Sequence, residues 1–172
     1  MSINDPKTIF QTALTDVKTS TQGDVEQVGT IRHGQDGKIY RWVQNTHDVA
    51  LAAGQVVFHS GDDDTTNMYK YVEDGATDEL MFMAGVAISA IPISGFGWII
   101  VAGVQDTIST YASGGTPIAV GDSLIGVDST TYVVHGTSPA APPAYSKYII
   151  ALETLASSVS AATEMAGIVN CF

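Results

Sequence analysis

Apolar residues in this chain recur at the spacing of β-strands, and several stretches are apolar on both faces. Residues 81–104, MFMAGVAISAIPISGFGWIIVAGV, carry no charge and read as two strands, 81–89 and 96–104, joined by a turn around Pro92, Ser94 and Gly95. In the second strand Trp98, Ile100 and Ala102 point one way and Ile99 and Val101 the other, the pattern of a strand covered on both sides. A membrane-spanning helix needs about 20 unbroken apolar residues; here Pro92 and the glycines at 85, 95, 97 and 103 interrupt the run. The stretch predicts a buried hairpin.

The same reading extends along the chain. Asp5-Pro6 has the form of a helix start, and Ile9, Phe10, Ala13, Leu14 and Val17 follow at helical spacing, so a short amphipathic helix is expected over 5–17. Residues 19–27 are polar and rich in turn formers. Strands at 28–32 and 39–43 flank His33-Gly34-Gln35-Asp36-Gly37, where Asp-Gly favours a tight turn. Further strands are expected at 55–59, after the turn at 117–122, at 130–135, 148–155 and 165–172, with 105–115 as a polar connector. Residues 136–144 hold three prolines and read as an extended loop.

An echo runs through this pattern. Residues 50–57, ALAAGQVV, resemble 117–124, PIAVGDSL, and each is followed by an apolar strand with a central Ala, at Gly85-Val86-Ala87-Ile88 and at Ile149-Ile150-Ala151-Leu152. A second apolar strand follows each, at 98–101 and 165–169. The expected architecture is mainly β: a compact barrel or sandwich, built as two similar β modules if the echo is structural, behind a short N-terminal helix or arm. The corresponding division is an arm over 1–27 and one β-rich domain over 28–172, with an internal repeat at 50–104 and 117–172.

At 172 residues such a chain can bury a sizeable core. Charge narrows the partners. With 18 acidic and 7 basic residues and a formal charge of −11, the chain lacks the basic footprint that binds nucleic acid or anionic membrane. Beyond Tyr71 the one basic residue is Lys147. Only 15% of residues are charged, a composition that suits a surface partly covered by a protein partner. The N-terminus has no signal-peptide pattern, and Cys171 alone can form no intramolecular disulfide.

Candidate chemistry changes little. His33, His47, His59 and His135 lack the spacing of a metal motif. Ser94 precedes its glycines and does not form a nucleophile elbow, and Gly95-x-Gly97 leads into a strand where a phosphate loop would need a helix. Ser123 beside Asp122 has no histidine assigned to it by spacing, and Asp122 and Glu153 read as isolated surface acids. The acidic stretch 61–79 places Asp62, Asp64, Thr66 and Glu73 on calcium-loop positions 1, 3, 5 and 12, but Asn67 stands where the loop needs Gly and Lys70 at a ligand position. A solvated loop is favoured, with cation binding left open. No enzyme and no cofactor is expected.

Five segments, LAAGQVV (51–57), MAGVAISAI (83–91), GFGWIIVAGV (95–104), IAVGDSLIGV (118–127) and the closing YIIALETL…MAGIVNCF, together resemble the capsid decoration, or cement, proteins of tailed bacteriophages. The resemblance implies a β-rich domain, made in the host cytoplasm, that sits on the outside of the virion head. There it would stabilise contacts between major capsid subunits, commonly as a homotrimer. Ile9, Phe10 and Leu14 are the arm residues expected to meet the capsid; Phe96 and Trp98 are expected in the core or a subunit interface. Two alternatives stay open: another virion component, such as a tail-tube subunit or head-fibre base, and a small-ligand or carbohydrate-binding β module using Tyr111, Tyr132, Tyr145 and Tyr148.

Overall fold

A computed structural model describes residues 10–60, 68–74, 83–110, 117–126, 133–135, 148–156 and 163–171. These residues are mainly β. The strands are β1 (Val17–Lys18), β2 (Ile31–His33), β3 (Ile39–Asn45), β4 (Val56–His59), β5 (Tyr71–Glu73), β6 (Met83–Ala87), β7 (Phe96–Thr110), β8 (Ser123–Gly126), β9 (Val133–His135), β10 (Tyr148–Ala151) and β11 (Thr163–Asn170), with a 3-10 turn at Met68–Lys70. The hairpins read from turn chemistry are present: β2 pairs β3 across the Asp36-Gly37 turn, and β6 pairs β7 with Ala87 opposite Ile99. No helix among the described residues is long and apolar enough to cross a membrane.

Five strands close into a barrel. The circuit runs β3–β7–β6–β4–β5 and returns to β3 through a parallel pairing of Gln44 with Tyr71 and Asn45 with Val72. Closure leaves these strands no unpaired edge. Its interior is the apolar set Val43, Leu51, Val57, Val72, Ala87, Ile91, Ile99 and Val101, all buried. The β4–β6 ladder shifts register between Val57 and Phe58, and Gly85 sits at that shift with φ +154°.

The remaining strands repeat the pairing order. β7 pairs β11, β11 pairs β10, β10 pairs β8, β8 pairs β9, and β9 returns to β7 through the parallel pair Thr110–Val133. Each pairing has the same sense as its counterpart in the first ring. Strand β7 belongs to both rings, which is why it runs for 15 residues. The polar connector expected at 105–115 is therefore, through Thr110, a continuation of the strand. Its Gln105, Asp106 and Thr107 look like loop residues because they lie at the register shift of the β7–β11 ladder, where Asp106 and Thr107 are both exposed.

The two Ala-rich turns form the same hydrogen bonds. Gly54 N–H donates to Ala87 O (2.9 Å) and Gly121 N–H to Ala151 O (2.8 Å); Ala87 N–H donates to Gln55 O and Ala151 N–H to Asp122 O, both at 2.9 Å. The side chain of residue 55 or 122 then closes the turn: Ala52 N–H donates to Gln55 Oε1 and Ala119 N–H to Asp122 Oδ2, each at 2.7 Å. The bridge Leu51–Ile91 has its counterpart in Ile118–Leu155. Both glycines need positive φ, +76° at Gly54 and +91° at Gly121.

Their surroundings differ. Ser109 N–H donates to Gly54 O at 2.8 Å, and a Cβ on Gly54 would lie 3.1 Å from Thr107 O; one on Gly121 would meet nothing within 4 Å. Gly121→Ala is therefore expected to cost only the left-handed backbone penalty, about 1–2 kcal/mol. Gly54→Ala should cost more, because the added methyl also presses on β7. Urea midpoints of the two variants check the order, and equal midpoints would contradict the asymmetry.

The helix expected at the N-terminus is corrected over the described residues 10–17. Residues 10–16 are turns and irregular backbone, and Val17–Lys18 is a strand that pairs with β7. Polar side chains capture the backbone groups a helix would use: Thr12 N–H donates to Glu26 Oε1 (2.6 Å) and Ala13 N–H to Asp16 Oδ2 (3.0 Å). Thr and Asp compete with helical bonding in this way. The apolar spacing instead reflects docking, since Phe10 and Leu14 pack on the core. Residues 5–9, the loop at 136–144 and the calcium positions at 62, 64 and 66 lie outside the described residues.

Candidate interaction surface

The side chains singled out in the sequence fall in three places. Trp98 and Phe96 lie on β7 and are buried, 1% and 7% exposed. Trp98 stands opposite Trp42 of β3 with ring centroids 5.3 Å apart, and Trp42 stacks on Phe96 at 6.5 Å. Phe10 meets Trp98 edge-on at 5.7 Å, and the Arg32 guanidinium lies 4.8 Å from the Phe10 ring centroid and 5.9 Å from that of Trp98. Thr12 fixes the arm: its hydroxyl accepts from Trp98 Nε1 (2.9 Å) and donates to Glu26 Oε1 (2.7 Å). Trp42 Nε1 donates to Asp24 Oδ1 at 2.9 Å. Phe10, Leu14, Phe96 and Trp98 thus bind the N-terminal segment to this chain's own first ring. Ile9 lies outside the described residues.

The histidines do not converge. His33 is exposed beside its turn, His59 is buried at the end of β4, and His47 lies between Asp48 (3.2 Å from Nδ1) and Asp74 (3.3 Å from Nε2). Among the described residues no group of three His, Cys, Asp or Glu side chains could hold a metal ion. Glu73, the last calcium-loop position, is buried in β5. Asp122 closes its turn and Glu153 Oε2 accepts from Ala166 N–H (3.2 Å), so both acids have local structural work.

Among the described residues perturbed titration is found on β3 and in the β2–β3 turn. The Tyr40 hydroxyl donates to Asp36 Oδ2 at 2.6 Å, across the β2–β3 turn. That bond holds the Asp36 carboxyl below its ordinary value, while burial and the same carboxylate push the Tyr40 phenol well above its own. Burial lowers Arg41, whose Nε has no hydrogen-bond partner.

No protein-family model and no curated protein matches the chain. Among solved structures it is similar to the head fiber gp8.5 N base of bacteriophage phi29, with a TM-score of 0.44 and 15% identity over 77% of this chain and 94% of that one.

What the described surface does offer is apolar area outside the core. Val49, Ile93, Val104, Val120, Leu152 and Ile168 are exposed by 36% to 62%. Val104 and Ile168 belong to the second ring's outer face. Ile150 of β10 stands opposite Ile168 of β11, which stands opposite Val104 of β7, so the three form one row across adjacent strands. Leu152 follows the end of β10 in a bend and is 36% exposed. Sequence reading took 148–155 and 165–172 as core strands; register is what separates their inward residues, Ile149, Ala151, Met165 and Val169, from this outward row.

Proposed function

We propose that this chain is a structural protein of a phage virion that binds the outside of the capsid and stabilises contacts between major capsid subunits, working mechanically and without catalysis. The supporting observation is where the resembling segments lie. Residues 51–57 and 118–127 hold the two matching turns, Gly85-Val86-Ala87 lies in the barrel strand β6, and 95–104 covers the first-ring part of β7, the strand shared by both rings. The resemblance thus rests on the residues that build the frame, which favours a shared fold over chance composition.

The remaining features fit that role. The acidic, sparsely charged surface has no basic path for nucleic acid. A copy on a lattice needs only modest affinity, because each can bridge several subunits and many copies share the load. A trimer is the expected assembly.

The test is light scattering on the purified protein, followed by incubation with heads that lack it. A trimer, or a monomer that trimerises on heads, that raises the heads' melting temperature supports the proposal. A protein that ignores heads but binds a glycan array would replace it with the carbohydrate-binding reading.

A further inference from the structure

We propose that the outer face of the second ring, centred on Val104, Ile150 and Ile168 with Leu152 beside them, is the docking surface, and that its partner is a protein surface with an apolar centre flanked by Lys and Arg. The proposal rests on the virion reading for the partner's source, a major capsid subunit, and on the fold for everything else.

The first argument is internal. Register aligns the two rings residue by residue: Tyr40 stands opposite Ile100 and Ile100 opposite Val86 in the first, as Val104 stands opposite Ile168 and Ile168 opposite Ile150 in the second. The first row is fully covered, with Tyr40 5%, Ile100 0% and Val86 0% exposed. It belongs to one cluster with Trp42 and Trp98 and with inward residues of the second ring such as Ile149 and Met165, and Phe10, Leu14, Val25 and Val28 pack against that cluster. The same position of the same ring is therefore covered in one case. In the other, Val104 is 43% and Ile168 36% exposed.

The second argument is charge. Asp106 follows Val104 on β7, Glu164 precedes Ile168 on β11, and Glu153 follows Leu152; all three are exposed. Among the described residues none beyond Lys70 is Lys or Arg, and Lys38, which packs beside Gly103 at one end of the row, is paired with Asp36 at 3.9 Å. An apolar row with an acidic border fits a basic-bordered partner, and it opposes a second copy of itself, whose acids would meet like charge.

The third is the free turn. In the first ring the Ala52–Gln55 turn is seated on β7 through Ser109 and Gly54 is buried, whereas Gly121 in the matching turn is exposed, with nothing within 4 Å of an added Cβ. Among the described residues the second turn thus has no counterpart of that seat.

The experiment measures binding of the full chain to heads lacking it, for the wild type and three variants. Val104→Asp/Ile168→Asp should lower apparent affinity by about tenfold or more, as for a central apolar anchor, with the melting temperature of the free protein unchanged. Asp106→Lys/Glu164→Lys should weaken binding too, and the wild type should lose affinity as salt rises. Ile93→Asp, at the opposite end of the first ring, should bind as the wild type. If the wild type binds heads and the face variants bind equally well, this inference fails while the functional proposal stands. If the wild type does not bind heads, both fail. If the face variants instead dissociate an oligomer of the free protein, the face is a contact between copies and the inference is overturned.

Discussion

Replacing Gly85 by Ala is expected to remove a large share of the protein's stability. Gly85 has φ +154°, a region closed to side chains, and a Cβ there would lie 2.4 Å from Ile100 O and 3.2 Å from Ile99 Cδ1. Ile100 O is backbone in the next strand of the barrel, so it cannot swing aside. The change combines backbone strain of about 1–3 kcal/mol with overpacking of about 1–3 kcal/mol. A domain of this size has about 5–15 kcal/mol in hand. Urea unfolding should show a midpoint far below wild type, or no cooperative transition. A midpoint within experimental error of wild type would mean that the β4–β6 register shift is not as described.

Trp98→Ala should be nearly as damaging, for a different reason. The indole is 1% exposed and touches Trp42, Phe10 and Thr12 at once. Truncation leaves a cavity worth about 3–5 kcal/mol and takes away the surface on which the N-terminal segment sits. Two readouts separate the effects: the urea midpoint reports the cavity, and protease cleavage within residues 10–28 reports release of the segment. Trp98→Phe keeps the ring but loses the donor to Thr12, and should cost about 1 kcal/mol. If Trp98→Ala melted with its N-terminal segment still protected, Phe10 and Leu14 would be held by something other than this aromatic group.

These two residues also show how much the chain declares of itself. The hairpins could be read because each needs a local device, Asp36-Gly37 in one and Ser94-Gly95 in the other. The doubled turn could be read because Gly54 and Gly121 must take positive φ and an amide or carboxylate must close the loop one residue later. Strand β7 past Val104 could not, because the register shift at Gln105–Thr107 exposes consecutive residues and gives the strand the composition of a loop. The N-terminal helix was misleading for a related reason. Phe10, Leu14 and Val17 have helical spacing, yet Asp16 takes the N–H of Ala13 and Glu26 that of Thr12, whose hydroxyl is tied to Glu26 and Trp98. The outward row was hidden in strands apolar on both faces, where only register tells core from surface.

The glycines and aromatics account for the frame, and the outer face of the second ring accounts for what the frame could hold on to. The most direct test of the capsid role is a reconstruction of heads before and after incubation with the purified protein. The account predicts new density on the outer capsid surface, bridging neighbouring major capsid subunits, with the second ring toward the shell. Density confined to a tail or to a fibre, or heads unchanged by the protein, would contradict it.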